Sequence, residues 1–529
     1  MIQSIYIQNF KIFESFRLDL NADLNILVGN NEAGKSTILE AIALVLTKRI
    51  GGRNIEGELS AFLFNKKCAD QYLTDLRNGK NPPLPSIVIE AYLSETKELA
   101  FLKGSNNTKK SDEVGVRLEI AFNEDYKEEY ASLLADASEK KLIPAEYYKI
   151  NWYSFANNAI TSRSLPINIF SIDATSIRLQ SGTDYYIQNL VSENLTPKER
   201  VALAVAYRKL KESFSEEPSI QGINKNLSKG AITEKDVTIT IDVSQKTNWE
   251  TNLVPHLDDL PFQFAGKGEQ TALKIMLALE RKVQKADIVL IEEPENHLSY
   301  SSMSKLISKI ATKCAGRQIV ITTHSAYVLN KLGIEKVQLL HGNKTISLAQ
   351  LPEDTPSYFK KLSGYDTLRL ILADKAILVE GPSDELITQK AFLVRHGKLP
   401  LDAGVDVINV RGLSFARFLD LARELKNHVR VITDNDGDYQ KRVREKYEEY
   451  GSTGTIKIFA DADDSAKTLE PQLVKVNDLA MLNRVFNTNF PNTSALTEYM
   501  INNKTECALR IFESNEPVVM PQYIKDAID

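Results

Sequence analysis

The chain has 529 residues, 43% hydrophobic and 26% charged, which is globular composition in a protein too long for one core. We therefore expect two or three domains. Because the net charge is −5, any nucleic-acid surface must be a local basic groove rather than a property of the whole protein. The three cysteines form no CxxC pair, which excludes a zinc ribbon and a disulfide framework.

Membrane and secretory signals are missing from the sequence pattern. The N-terminal stretch "MIQSIYIQNFKIF" contains no secretory apolar region, and no apolar run approaches the roughly 18 residues of a membrane span. We predict a soluble cytoplasmic protein with no membrane contact.

The N-terminal elements predict the start of an α/β unit. Short alternating bursts over 4–20 indicate a hairpin, and "LNILVG" (24–29) indicates a buried strand. Apolar residues at helical spacing over 35–50 predict a helix directly after a glycine-bearing loop.

The predicted secondary structure changes several times in the middle of the chain. Thr196 and Pro197 are a plausible N-cap and first helical residue. The patterns predict mixed strands and polar loops over 80–175, a helical insertion over 177–230, strand character at 237–243, a helix over 268–284 and strands within 286–295 and 317–325.

A second α/β unit begins near residue 371. Apolar runs within 372–380, 405–412 and 429–433 predict strands, and 414–428 predicts a helix between the last two. This βαβ rhythm favours a parallel sheet.

The stretch "GNNEAGKST" (29–37) matches the phosphate-binding loop pattern G-x-x-x-x-G-K-[ST] between a predicted strand and a predicted helix. Backbone N–H groups of such a loop cradle phosphates at the helix N-terminus, Lys35 reaches the terminal phosphates and Ser36 ligates Mg²⁺. The predicted ATP-binding residues here are Gly29, Asn30, Asn31, Gly34, Lys35, Ser36 and Thr37.

Acidic and polar residues at later strand ends complete the predicted ATP site. Glu292 is predicted to hold the metal, and Glu293 to position or deprotonate the attacking water. His324 follows another strand, where it could contact the γ-phosphate. In "AGKGEQ", Gly266 and Gly268 precede a helix that could reach a phosphate bound by a second subunit.

Three carboxylates at alternate positions, Asp434, Asp436 and Asp438, follow the predicted strand 429–433. Like charges this close repel, so a cation is expected among them. A calcium EF-hand is one alternative, although Tyr439 stands where that loop needs glycine and a strand rather than a helix precedes it. A solvated acidic loop is another.

A second acidic strand end favours a divalent metal at this place. Glu380 follows an apolar strand, and Asp384 comes four residues later. Two parallel strands would deliver Glu380, Asp434 and Asp436 to one edge, where they could share one or two Mg²⁺ ions for a phosphoryl displacement.

These motifs resemble known families. The order of the nucleotide motifs is similar to ABC-type ATPases of the SMC, RecF and OLD (overcoming lysogenization defect) kind, although Ala265 and Lys267 depart from a strict signature motif. Glutamate after one strand and D-x-D after another resembles the Toprim domain. An ABC-type ATPase followed by Toprim resembles OLD-family endonucleases, including the Gabija A subunit and retron-associated nucleases.

The resemblance implies further residues and partners. Asp384 fits the acidic metal-ligand position four residues after Glu380, where the family more often has glutamate. Glu470 matches a later acidic metal ligand, with capping of the following helix as the alternative. Lys504 matches the lysine that stabilises charge on the transferring phosphate, with a solvated helix start as the alternative. It implies ATP, Mg²⁺ or Mn²⁺, DNA as substrate, a homodimer or higher homo-oligomer, and a role in defence against phage. A helicase, or a retron reverse transcriptase with its DNA, encoded nearby would be a possible partner.

The predicted fold class is α/β: an ABC-type (P-loop) ATPase domain with a helical dimerisation insertion, followed by a C-terminal Toprim domain. The predicted domains are the ATPase over 1–176 and 231–350, the insertion over 177–230 and Toprim over 371–529. The leading hypothesis is an ATP-regulated, metal-dependent DNA endonuclease. The alternative is a RecF- or SMC-like ATPase clamp or scaffold that does not cut DNA.

Overall fold

We analysed a computed structural model of the chain. It describes every residue except 81, 135–141, 162–163, 174–178, 181–182, 185–194, 229–237, 243–248, 250–253, 255, 282–285, 342–343, 362–366, 413 and 452–453. Parts of the predicted insertion over 177–230 and of the predicted strand over 237–243 therefore lie outside the described residues.

The strands in chain order are β1 (Ile2–Phe10), β2 (Phe13–Asp19), β3 (Leu24–Gly29), β4 (Arg49–Ile50), β5 (Arg53–Asn54), β6 (Ile87–Leu93), β7 (Lys103–Gly104), β8 (Glu113–Phe122), β9 (Tyr148–Ser154), β10 (Ile169–Asp173), β11 (Leu179–Gln180), β12 (Thr183–Asp184), β13 (His256–Leu257), β14 (Leu260–Pro261), β15 (Ile288–Glu292), β16 (Gln318–Thr322), β17 (Val337–His341), β18 (Lys344–Ser347), β19 (Lys375–Val379), β20 (Asp406–Asn409), β21 (His428–Ile432) and β22 (Ile456–Phe459).

The helices are α1 (Lys35–Thr47), α2 (Lys66–Arg77), α3 (Lys127–Leu134), α4 (Pro197–Ser215), α5 (Pro218–Ser228), α6 (Lys267–Arg281), α7 (Tyr300–Lys313), α8 (Ala326–Leu332), α9 (Asp354–Lys361), α10 (Thr367–Leu372), α11 (Pro382–His396), α12 (Phe415–Leu425), α13 (Glu448–Gly451), α14 (Leu469–Val476), α15 (Leu479–Phe486), α16 (Thr493–Asn502), α17 (Lys504–Glu513) and α18 (Gln522–Ile528). A π-helical turn spans Gln440–Glu445. None of the described helices is both long and apolar enough to cross a membrane.

Two sheets enclose α1 in the N-terminal part. One is antiparallel, in the order β2-β1-β6-β8-β7 with β9 paired to β8, and the other has the order β10-β15-β16-β3-β17-β18. Helix α1 contacts β6 and β8 of the first sheet and β3 and β16 of the second. It is apolar on nearly every side because both faces are covered. The predicted hairpin, the buried strand over 24–29 and the following helix are confirmed.

The C-terminal sheet is parallel throughout, in the order β20-β19-β21-β22. Helix α11 joins β19 to β20, and α12 joins β20 to β21, so the predicted βαβ rhythm is confirmed. Ile377, Val379 and Ile432 pack with residues of α11, α17 and α18 in a core of their own. The carboxyl ends of all four strands therefore lie at one edge, where ligands bind in open α/β sheets.

The contacts divide the chain into two compact units. The first contains residues 1–171, 286–290 and 314–529, and the second contains 172–285 and 291–313. In the second unit α4 begins with a capping box, in which Thr196 is the N-cap, Pro197 is the first helical residue and the Glu199 carboxylate accepts from the Thr196 backbone N–H at 2.8 Å. The predicted start of this helix is confirmed.

The predicted strand over 237–243 is wrong for its described residues, 238–242, which form no strand. The backbone there is held by side chains instead. Asn224 accepts from the Ile239 N–H at 2.7 Å and donates to the Ile239 carbonyl at 3.1 Å, and Lys211 donates to the Asp242 carbonyl at 2.8 Å. Alternation of apolar residues predicts a strand only where another strand is available to pair with it.

Candidate functional site

The loop between β3 and α1 requires its glycines. Gly34 has φ +91°, and a Cβ there would lie 2.5 Å from Ile12 Cδ1 and 2.5 Å from Phe13 Cζ. A Cβ on Gly29 would lie 2.9 Å from Ala33 Cβ. Only glycine satisfies both the left-handed backbone and the close packing at residue 34.

Lys35 folds back over this loop. It is buried, and its ammonium donates to the carbonyls of Gly29 at 3.0 Å and Asn30 at 3.1 Å. Ser36 is exposed beside it, and the first turn of α1 contains no acidic residue. A helix N-terminus without acids, flanked by a lysine, attracts anions such as phosphate.

His324 lies at the same sheet edge as the loop. Strand β16 runs parallel to β3 with Thr322 opposite Leu27, so His324 follows the carboxyl end of the neighbouring strand. Ser325, the next residue, caps α8 by accepting a hydrogen bond from the backbone N–H of Val328. The short spacer between β16 and α8 keeps His324 at this edge.

The second unit contains the predicted acidic pair and the signature-like glycines. Glu292 ends β15, and Glu293 has φ +41° with its carboxylate accepting from the Asn296 side chain at 2.7 Å. A left-handed glutamate is uncommon, and such strain concentrates at functional sites. A Cβ on Gly268 would lie 2.2 Å from the His297 carbonyl, so this glycine is required for packing within the unit.

The predicted contact of Gly266 and Gly268 with a partner's phosphate remains a prediction. Gly266 has open space around its Cα, with no atom within 4 Å of an added Cβ. Of the two glycines it is the one whose surroundings leave room for a ligand.

Glu380 and Asp434 lie side by side at the carboxyl edge of the C-terminal sheet. Val379 and Ile432 are register partners at the ends of β19 and β21, so the residues that follow them meet. Glu380 Oε1 accepts hydrogen bonds from the Asp434 backbone N–H at 3.0 Å and from the Thr433 hydroxyl at 2.6 Å. These two donors fix the orientation of the Glu380 carboxylate.

The turn that follows β21 is built around Asn435, which is fully buried. Its side-chain amide donates to the carbonyls of Asp461 and Asp463, both at 2.9 Å, and its oxygen accepts from the Gly437 N–H at 2.8 Å. Asp436 is exposed and has φ +50°. The inward amide therefore turns the chain so that Asp436 faces solvent while Asp434 stays half-buried.

Asp438 belongs to a different local structure. Its carboxylate accepts from the Lys441 N–H at 3.0 Å at the start of the π-helical turn. The EF-hand alternative is wrong, because the acidic loop follows a strand of a parallel sheet, whereas an EF-hand loop lies between two helices. The pairing of Asp438 with backbone is that of an ordinary turn residue.

Replacing Asn435 with alanine is expected to open the loops at this edge. The change removes the donors of the half-buried Asp461 and Asp463 carbonyls, at about 1 kcal/mol for each lost bond. Hydrogen exchange should show lost protection in residues 434–438 and 461–466. Asn477→Ala is a matched control, since Asn477 makes similar bonds in a more exposed place. Unchanged protection in Asn435→Ala would contradict this role.

Glu470 and Lys504 form an ion pair at the same site. Glu470 is almost fully buried near the start of α14, and Lys504 begins α17 with its side chain 46% exposed. The Lys504 ammonium lies 3.4 Å from Glu470 Oε2, and the Thr468 hydroxyl donates to the same oxygen at 2.8 Å. The ion pair therefore anchors the Lys504 side chain at Glu470, while the rest of the side chain remains exposed to solvent.

The acids influence one another's ionisation. Burial, followed by the charges of Glu380 and Glu470, raises the pKa of Asp384 to about 7. Burial, followed by Asp384, Glu380 and Glu470, raises the pKa of Asp434 to about 8, and Lys504 opposes this shift. Four predicted ligands are therefore close enough to repel, and the single lysine among them does not compensate their charge.

The donor set fits a hard divalent cation, which prefers carboxylate oxygens. In the described part of the chain, however, no three Asp, Glu, His or Cys side chains are already arranged to hold a metal ion. Asp384 caps the Gly381 N–H at 3.2 Å, and Glu470 is engaged by Lys504. These contacts use one carboxylate oxygen of each residue, so the second oxygen of Asp384 and of Glu470 would be the one to bind the ion.

Sequence reasoning missed the residues that orient the acids. Thr433 and Thr468 hold Glu380 and Glu470, and Asn435 builds the turn between the aspartates. Lys467 was also missed: its side chain covers Gly437, where an added Cβ would lie 3.0 Å from Lys467 Cε. The available signal was a hydroxyl or amide within two residues of Asp434 and Glu470, which is too common a pattern to single out.

Comparison with known families places two domains on the chain. Residues 1–329 match the AAA ATPase domain family, and residues 371–436 match the TOPRIM domain of overcoming lysogenization defect-like proteins. Together with the sheets described above, these matches confirm the predicted α/β class with an N-terminal ATPase domain and a C-terminal Toprim domain.

Individual relatives are distant. A protein of Helicobacter pylori named "ATP/GTP phosphatase" is 23% identical over 375 residues, which is 66% of this chain and 93% of that protein. A solved SMC head bound to the C-terminal winged-helix domain of ScpA has 14% identity and a TM-score of 0.36, covering 66% of this chain and 98% of its own. A solved RecF structure has 11% identity and a TM-score of 0.35, with the same coverage.

Proposed function

This chain belongs to the AAA ATPase domain family and joins that domain to an OLD-like Toprim domain, as OLD-family ATPase–nucleases do. On this premise we propose that it is an ATP-regulated, divalent-metal-dependent DNA endonuclease. The observation that carries the proposal is the convergence of Glu380, Asp384, Asp434 and Glu470 beside Lys504. Buried acids that repel one another are a cost to the fold unless a cation joins them.

The proposed chemistry is hydrolysis of a phosphodiester. Bound Mg²⁺ or Mn²⁺ would polarise the phosphate and generate the attacking hydroxide. Glu380, fixed by two hydrogen bonds through one oxygen, keeps its other oxygen for the ion. Asp384, Asp434, Asp436 and Glu470 would complete the ligand set. Lys504 would stabilise negative charge on the phosphate through the part of its side chain that is open to solvent.

The ATPase domain is proposed to regulate cleavage. Lys35 would leave the Gly29 and Asn30 carbonyls for the terminal phosphates of ATP, and Ser36 would ligate its metal. Glu292, Glu293 and His324 would serve the hydrolysis step, and Gly266 and Gly268 would contact nucleotide across a homodimer. A cytoplasmic role in phage defence, with a partner encoded nearby, completes the proposal.

The test is cleavage of supercoiled plasmid by the purified full chain with Mg²⁺ or Mn²⁺, with and without ATP. We expect nicked or linear product that requires the metal and is lost in Asp436→Ala, and the ATP lanes give the direction of regulation. DNA binding without cutting under every condition would contradict the nuclease and favour an ATPase clamp.

Replacing Lys504 with glutamine is expected to slow plasmid cleavage by about 100-fold, because a positioned cation that stabilises transition-state charge contributes about 3 kcal/mol. Lys504→Arg keeps the charge and should retain more activity than Lys504→Gln. Both cleavage rates are measured at a saturating metal concentration, so that a change in metal affinity does not affect the comparison. Equal rates for Lys504→Gln and the unmodified protein would contradict the role given to Lys504.

A further inference from the structure

A second cavity lies at the opposite edge of the C-terminal sheet, away from the acidic site. It has a volume of about 710 Å³ and lies where β19, β21 and β22 begin. Lys375 and Arg430 line it near the beginnings of β19 and β21, whereas Glu380 and Asp434 follow the other ends of the same strands. The cavity and the acidic site therefore occupy opposite edges of one sheet.

The strand register gathers cations on one side of the sheet. Arg430 of β21 is the register partner of Lys457 of β22, and Lys375 of β19 is the partner of His428 of β21. Register partners of parallel strands project on the same face, and all four residues line the cavity. Like charges directly opposite each other destabilise a sheet, so this arrangement opposes folding unless an anion compensates it.

Among the described side chains, little negative charge compensates these cations. Lys375, Lys457 and a third lining lysine, Lys398, have no hydrogen bond or ion pair to any described side chain. Arg430 donates through Nη1 to the Ala527 carbonyl at 2.7 Å, which leaves Nη2 and Nε for a ligand. The acidic residue of the lining, Asp529, is already paired with Arg395 through its side chain at 3.0 Å.

The cavity also has an apolar and aromatic wall. Phe392 packs against His396 with ring centroids 4.2 Å apart, and Ile377 and Val429 also line the cavity. Cations and aromatic rings in the lining of one cavity suit a ligand with several negative charges and a flat ring. A cavity of this volume lies within the range of small-molecule sites, about 300–1,000 Å³.

We propose that this cavity binds a small phosphate-bearing ligand of the nucleotide class. Its phosphates would lie against Arg430, Lys457, Lys375 and Lys398, and its base against Phe392 and His396. Arginine binds phosphate through two parallel hydrogen bonds, and lysines add point charges. The site is independent of the proposed nuclease activity.

The test is calorimetric titration of the full chain carrying Lys35→Ala, which weakens the other nucleotide site. We expect ADP to bind, adenosine not to bind, and inorganic pyrophosphate to compete with ADP. Adding Lys457→Glu should weaken ADP binding at least tenfold. The double change Lys375→Gln with Lys398→Gln should act in the same direction, and both lysines are exposed, so this variant is expected to fold.

Lys426→Glu is the matched control, because Lys426 is an exposed lysine of the same domain that does not line the cavity. Its ADP affinity should stay within twofold of the parent. The proposal is overturned if ADP binding is insensitive to Lys457→Glu, or if Lys426→Glu weakens it equally. An oligonucleotide whose binding is weakened by Lys457→Glu but which ADP cannot displace would also overturn the assignment to a small ligand.

Discussion

Replacing Asp434 with asparagine is expected to abolish plasmid cleavage and, at the same time, to stabilise the metal-free protein. The two effects have one cause. Asp434 is surrounded by Asp384, Glu380 and Glu470, and these charges together with burial raise its pKa to about 8. The same negative charge that destabilises the metal-free protein is the charge that a metal ion needs.

The sign of the stability effect follows from this raised pKa. The unfolded aspartate ionises near pH 4, whereas the folded one resists ionisation up to about pH 8, so the destabilisation grows as the pH rises between these values. At pH 7.5 the neutral asparagine avoids this cost. We expect a gain on the order of 2 kcal/mol after allowance for solvent screening.

The loss of cleavage should be on the order of 1,000-fold, because metal stabilisation of the transition state contributes several kcal/mol. Stability is measured by thermal unfolding in EDTA, and cleavage in Mn²⁺. Asp438→Asn is the matched control, since Asp438 lies in the same acidic stretch but only accepts a backbone hydrogen bond from Lys441. A destabilised Asp434→Asn protein, or one that still cuts DNA, would contradict the account of this site.

Replacing Lys35 with alanine is expected to weaken ATP binding by about 100-fold, since two charge-assisted hydrogen bonds to phosphate contribute roughly 3 kcal/mol together. ATP hydrolysis should fall with it. Any dependence of plasmid cleavage on ATP should disappear, whereas cleavage in the absence of ATP should remain near the unmodified level. Binding is measured with a fluorescent ATP analogue, and cleavage is measured on the same preparation.

Lys149→Ala is the control for this experiment. Lys149 is an exposed lysine on β9 of the same unit, and its removal should change neither ATP binding nor cleavage. Unaltered ATP affinity in Lys35→Ala would mean that the loop over 29–37 does not bind the phosphates. Complete loss of cleavage in Lys35→Ala without ATP would contradict a purely regulatory role for the ATPase domain.

The elements that flank the two sites could be predicted because their signals are local. A glycine loop followed by Lys35 predicts a strand before the loop and a helix after it. This is the geometry in which the glycines and the lysine bind phosphate together. The strand ends at Glu380 and Asp434 follow from short apolar runs that stop at an acid. In each case the residues that define the element are neighbours in sequence.

The supporting contacts could not be predicted, because they depend on residues far apart in the chain. Thr433 reaches Glu380 across 53 positions, and the Asn435 amide reaches Asp461 across 26. The prediction of a strand over 237–243 was wrong for the same reason. The local pattern is that of a strand, but Asn224 and Lys211 bind the backbone of its described residues instead. The local sequence does not indicate which distant side chain will contact a given segment.

The most direct test of the account is Mn²⁺ binding by the full chain, measured by electron paramagnetic resonance of the free ion. The account predicts at least one bound Mn²⁺ per chain, lost in Asp434→Asn and in Glu380→Gln but retained in Asp438→Asn. Glu380→Gln is the sharper of the two variants, because its amide oxygen can still accept from Thr433. Absence of bound Mn²⁺ in the unmodified protein, or equal binding in all four proteins, would contradict a metal site at these acids.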